Sequence, residues 1–72
     1  MDREYVNSSM ITGIGYDAST SILEVEFKDG AVWDYADVPE YLWHEFREAE
    51  SKGKFFLQNI REQYTPNGYR VQ

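Results

Sequence analysis

The chain has 72 residues, 13 of them acidic and 7 basic, and no cysteine. That leaves room for one domain with a thin core, and it excludes disulfides, cysteine-ligated zinc and thiol nucleophiles. The formal charge of −6 repels phosphate at long range and argues against non-specific nucleic-acid binding.

Residues 1–9 are polar and are expected to form an arm or an edge segment. No apolar run resembles a signal peptide or reaches membrane-spanning length, so a soluble cytoplasmic protein without a membrane partner is expected. Met10 to Asp17 reads as a strand, with Met10, Thr12, Ile14 and Tyr16 on one face. Gly13 and Gly15 on the other face signal a bulge or a close backbone approach. Residues 18–21 form a turn by composition. In 22–28 the apolar Leu23, Val25 and Phe27 alternate with Glu24 and Glu26, the period of a half-buried strand. Asp29-Gly30 then turns the chain into a third strand over 31–36.

The register of this hairpin follows from where its carboxylates can go. A two-residue loop would set Asp34 against Val25 and point a carboxylate into the core, which is costly. A three-residue loop with Gly30 as the bulge residue sets Trp33 against Val25 and Tyr35 against Leu23. Leu23, Val25, Phe27, Trp33 and Tyr35 then form one core wall, with Trp33 substantially buried. Glu24, Glu26 and Asp34 share the open face with Val32.

A helix is expected from Val38-Pro39, with Asp37 as N-cap and Val38, Leu42, Phe46 and Ala49 as its inward stripe. Trp43 sits at the edge of the stripe and His44 on the opposite face. Gly53 reads as a left-handed C-cap residue. A second helix follows over 54–64, with Phe56, Ile60 and Tyr64 inward, and Pro66-Asn67-Gly68 breaks it before a short tail. The fold expected is α+β: a three-stranded antiparallel meander, then a two-helix hairpin packed on one sheet face.

The order of several short motifs carries a resemblance. V-x-S-S-x-I-x-x-I-G-Y-D spans Val6 to Asp17, and L-E-V-E-F-x-x-G spans Leu23 to Gly30. An aromatic-x-aromatic unit and a Val-Pro step follow, then A-x-S-x-G-x-F-F-x-x-x-I-R-x-x-Y from Ala49 to Tyr64. Together these resemble the KTSC domain, found alone in bacterial and phage proteins and at the C-terminus of some lysyl-tRNA synthetases. The resemblance covers about 6–64 of a single domain over 1–72, with 1–5 and 65–72 as terminal segments. The sequence departs from the family pattern at Trp33, where Tyr is usual, and at Leu57, where Asn is frequent. The motif positions Ser8, Ser9, Tyr16, Trp33, Tyr35, Pro39, Gly53, Phe56 and Ile60 are expected to serve structure. The resemblance implies a binding module, with RNA as one partner class.

Ser8, Ser9, Asp17 and His44 do not make a triad by pattern, because helical phase turns His44 to solvent and no nucleophile-elbow motif surrounds either serine. The acids Glu24, Glu26 and Asp34 lack calcium-loop spacing, and "TGIGYD" lacks the features of a phosphate loop. No cofactor, metal or catalytic residue is therefore expected. Arg47, Lys52, Lys54 and Arg61 are the candidate nucleic-acid contacts, with Phe55 and Tyr64 as aromatic neighbours. Two partner classes stay open: RNA through that basic helical end, and another protein through the acidic face or an exposed sheet edge.

Overall fold

The computed structural model describes residues 3–61, 63–64 and 66–70. Its elements run β1 (Glu4–Tyr5), β2 (Ile11–Asp17), β3 (Ile22–Phe27), β4 (Val32–Tyr35), α1 (Glu40–Glu48), α2 (Lys52–Asn59) and β5 (Pro66–Arg70). The strands form one antiparallel sheet in sequence order, β1-β2-β3-β4-β5. The α+β class and the meander of β2, β3 and β4 agree with the sequence reading. The number of strands does not: five are present where three were expected, because both terminal segments add an edge strand. Pro66 opens β5 opposite Tyr35, and its missing N–H is tolerated at the first residue of a strand. The segment 66–68, expected as a break, thus starts a strand that continues through Arg70. The outermost residues of the two expected terminal segments, 1–2 and 71–72, lie outside the described residues.

The β3–β4 hairpin adopts the three-residue register. Val25 pairs with Trp33, Leu23 with Tyr35 and Glu24 with Asp34. Gly30 has a φ of 92°, the left-handed conformation that favours glycine, and the Phe27 N–H donates to the Ala31 carbonyl at 2.8 Å to close the turn. In β2 the register shifts between Ile11 and Gly13, a bulge that inserts Thr12. The bulge lets both Ile11 and Ile14 face the core, where each is fully buried.

The helices cover the Leu23–Val25 face. Val38, Leu42 and Phe46 of the expected stripe are buried, together with Phe56 and Ile60. Phe46 stacks on Phe55 at 5.4 Å and joins the two helices. Phe56 meets Phe27 and Tyr35 edge-on at 5.3 and 5.6 Å. Trp33 packs on the core but only half-buried, at its rim. Trp43 stacks on Tyr16 at 5.7 Å and fixes α1 to β2. The Tyr16 hydroxyl donates to the Val38 carbonyl, and the Val38 N–H donates to the Ser21 carbonyl at 3.0 Å. These two bonds tie the link before α1 to the β2–β3 turn.

Three helix boundaries differ from expectation. Pro39, not Asp37, is the N-cap of α1, and it offers no side-chain bond. Asp37 instead takes a φ of 61° in the preceding turn, a conformation aspartate tolerates. Gly53 is not a C-cap: it lies buried in the first turn of α2, with Ser51 as the N-cap accepting from the Lys54 N–H. A Cβ on Gly53 would stand 3.0 Å from the Met10 Cγ and Sδ, so the glycine lets α2 close on the segment before β2. The second helix spans 52–59 rather than 54–64, and Tyr64 follows half-buried after a turn.

The face carrying Glu24, Glu26 and Asp34 is not open. Arg3 lies across it, its Nε 2.7 Å from Glu24 Oε1 and its Nη1 2.7 Å from Glu26 Oε1. Gly13 lies beneath this strap, where a Cβ would make ordinary contact with the Glu4 carbonyl oxygen at 3.4 Å and with Arg3 Cδ and Glu26 Oε1 at 3.5 Å. Val32, on the same face, is almost fully buried. Asp34 Oδ1 is buried without a hydrogen-bond partner among the described residues. Burial raises the Asp34 pKa, repulsion from Glu24 adds to the rise, and Arg3 opposes it.

Three outcomes follow from this packing. Phe46→Ala should cost about 3–5 kcal/mol in urea unfolding, and the rim position of Trp33 should hold Trp33→Ala to about 2–3 kcal/mol. Gly53→Ala should be near neutral, because a helix-propensity gain of about 1 kcal/mol offsets the crowding of Met10, whereas Gly53→Val should lose about 1–3 kcal/mol. Asp34 has a folded pKa above its ordinary 3.8, so the folded state holds the proton more tightly and Asp34 costs stability as pH rises through that folded value. The Asp34 carboxyl should accordingly titrate above the usual range by carbon-detected NMR, and Arg3→Met should move it higher still.

Candidate functional site

At the end of the sheet where the β3–β4 hairpin meets α2, the helix-side surface opens into a groove of about 470 Å³. Phe27, Trp33 and Tyr35 form its floor, Phe56 and Leu57 one wall, and Met10 and Arg61 complete it. Each residue arrives for a local reason. The hairpin register places Trp33 and Tyr35 on the same side of β4. In α2, Phe56 turns inward and is buried, whereas the next residue, Leu57, stays 38% exposed. Arg61 follows the end of α2, where its N–H donates to the Phe56 carbonyl at 2.9 Å and so fixes its backbone beside the groove. Burial raises the Tyr35 phenol pKa, and the charge of Arg61 pulls against that rise.

The four cations expected to act together are divided. The Arg47 guanidinium is 2.7 Å from Glu4 Oε2 and 5.4 Å from the Trp43 ring centroid, which commits it to the β1 side. Lys52 donates to the Ala49 carbonyl and closes the end of α1. Lys54 is exposed, and Arg61 lines the groove over β4. Glu4 on β1 and the groove residues of β4 are separated by three strand spacings, about 14 Å, so Arg47 is committed away from Arg61. Phe55 stacks on Phe46 instead of serving an exposed basic surface.

The serines and the histidine are also apart in their bonding. Ser8 Oγ accepts from the N–H groups of Met10 and Ile11 at 3.3 and 3.4 Å, and Ser9 is exposed. His44 pairs with Glu40 on the outer face of α1 at 3.3 Å. Asp17 holds the N–H and hydroxyl of Ser19 at 3.0 and 2.7 Å, which lowers its pKa. Among the described residues, no group of His, Asp and Glu is arranged to hold a metal ion, and no helix is long and apolar enough to cross a membrane.

Sequence reasoning did not bring Trp33, Tyr35, Phe56 and Arg61 together. It assigned the first three to the core and the last to a basic patch. The groove arises only when α2 is docked on the hairpin. The visible hints were Leu57, an apolar residue next to the inward Phe56, and the placement of Met10 just before the glycine-rich strand.

The KTSC domain family model matches residues 7–64. An uncharacterized protein of Stutzerimonas stutzeri is 39% identical over 64 residues, 89% of this chain and 90% of its own. A protein of Tsukamurella paurometabola is 40% identical over 50 residues, 69% of this chain and 75% of its own. The crystal structure of a KTSC domain protein from Yersinia pestis superposes with a TM-score of 0.91 at 34% identity, covering 99% of this chain and 97% of that one. With most of its length matched by the family model and its whole fold shared with a KTSC structure, the chain belongs to the KTSC domain family.

Proposed function

We propose that this chain is a non-catalytic binding module of the cytoplasm that engages a protein partner through the aromatic groove. The observation that carries this reading is the groove itself: a concave surface of aromatic and aliphatic side chains with one cation at its edge. Such surfaces bind through buried aromatic anchors, with a few polar groups setting orientation. The expected acidic-face interface is the weaker alternative, because Arg3 already occupies Glu24 and Glu26. RNA is the second partner class. Of the four expected contacts it has only Lys54 and Arg61 left, since Arg47 and Lys52 are engaged within the fold. Two contacts against a net charge of −6 offer little phosphate affinity.

Benzophenone photo-crosslinking tests the reading. A benzophenone at position 57 should capture a discrete protein in cells, and one at Glu45, on the exposed face of α1, should not. The position-57 adduct should fall at least several-fold with Trp33→Ala. An adduct that ribonuclease removes would favour the RNA partner, and equal capture at both positions would refute the groove as the docking surface.

A further inference from the structure

Charge is unevenly shared between the two sides of the molecule. On the side away from the helices, Glu24, Glu26 and Asp34 share one face with a single arginine among the described residues, Arg3. At the groove the balance reverses. Arg61 lines it, and among the described residues no carboxylate lies within ion-pair distance of its guanidinium. Lys54 precedes Leu57 by about one helical turn and is exposed, and Lys28 directly follows the groove residue Phe27 and is exposed. Among the described residues, none of Arg61, Lys54 and Lys28 has a carboxylate within ion-pair distance. A partner with apolar side chains alone would leave the Arg61 charge partly desolvated and unpaired, which is costly. A carboxylate beside the apolar anchor would instead meet a planar guanidinium able to bind both its oxygens.

We infer that the groove selects an acidic peptide segment, one that inserts an aromatic or large aliphatic side chain between Trp33 and Leu57 and pairs a neighbouring carboxylate with Arg61. This rests on the groove being the docking surface. It adds the chemistry of the partner and assigns Arg61 as the residue that determines specificity. A peptide is favoured over a nucleic acid because one or two carboxylates match the one to three cations present, whereas a strand of phosphates would extend beyond them into the field of an acidic protein.

The two tryptophans provide the readout. Trp33 lines the groove, and Trp43 is stacked on Tyr16 and bridged to Glu4 through Arg47, away from it. The probes are three peptides, acetyl-Gly-Glu-Trp-Leu-Glu-Gly-amide and its counterparts with both Glu replaced by Gln or by Lys. Each is titrated, unlabelled, into nitrogen-15-labelled protein while the two indole N–H signals are followed. The Glu peptide should shift Trp33 and leave Trp43 in place. It should bind about fivefold more tightly than the Gln peptide, the scale of one partly exposed charge pair, and the Lys peptide should be weakest. In Arg61→Gln, which changes an exposed side chain, the advantage of the Glu peptide over the Gln peptide should be lost. If they already bind alike to the wild type, the selection for acid is wrong while the groove stands. If the preference for Glu persists in Arg61→Gln, Arg61 is not its source. If no peptide moves Trp33, the groove reading falls as well, and a Trp33 shift with a single-stranded RNA octamer in that case would assign the site to nucleic acid.

Discussion

A turn of three residues, Lys28 to Gly30, decides which side of the sheet every residue of β3 and β4 faces. Side chains alternate along a strand, so a hairpin slipped by one residue would exchange the two faces of one strand against the other. With Gly30 in the left-handed region, Val25 faces Trp33 and Leu23 faces Tyr35, and Asp34 is directed to the side of Glu24. The helix-side wall is then wholly apolar. Phe56 can set its ring against Phe27 and Tyr35 at once only because both lie on that wall. The groove beside Phe56 is a consequence of the same register.

The two faces of the sheet are covered by different physics. On one side, α1 and α2 bury apolar rings, and the glycine at 53 allows α2 to approach the Met10 segment. On the other, one guanidinium from the edge of the sheet is shared between two carboxylates, and one oxygen of a third carboxyl is buried there without a hydrogen-bond partner among the described residues. This second arrangement adds little net stability, since desolvating the charges offsets much of their attraction. Its effect is to give the segment from Arg3 onward a fixed place, so that β1 can pair with β2 and Glu4 can reach Arg47 on α1. Arg3 and Arg47 thus hold the same short strand from opposite faces of the sheet.

The legible parts of the sequence were those with a clear period. Leu23, Val25 and Phe27 alternate with acids over a full strand, and Val38, Leu42 and Phe46 repeat at helical spacing, so β3 and α1 could be read directly. The bulge at Thr12 was signalled by the glycines after it. β1 has only two residues, too short for any alternation, and β5 opens with Pro66-Asn67-Gly68, residue types that normally mark a break. Both strands exist because the sheet offers them an unpaired edge, which is a tertiary cause. Gly53 misled for a related reason: glycine after a helix and glycine at a close contact look alike in one dimension, and only Met10, distant in sequence, separates them. The basic residues were misgrouped because proximity along α1 and α2 does not show that Glu4 would claim Arg47.

A domain of this size has little apolar surface to spare, and each Å² left in water forgoes about 25 cal/mol. Ile11, Ile14, Leu23, Val25, Phe46 and Ile60 are buried almost completely. Against that economy, the combination of a half-buried Trp33 with an exposed Leu57 around a single concavity stands out. Isolated exposed apolar residues are ordinary on protein surfaces, and Tyr5 and Tyr41 are of that kind. A set of apolar side chains converging from four separate segments on one groove is different, because it leaves in water apolar area that a thin core could have used. The Phe46–Phe55 stack and the Gly53–Met10 contact fix the position of α2 beside the groove. Sites of this kind are where stability is commonly exchanged for binding.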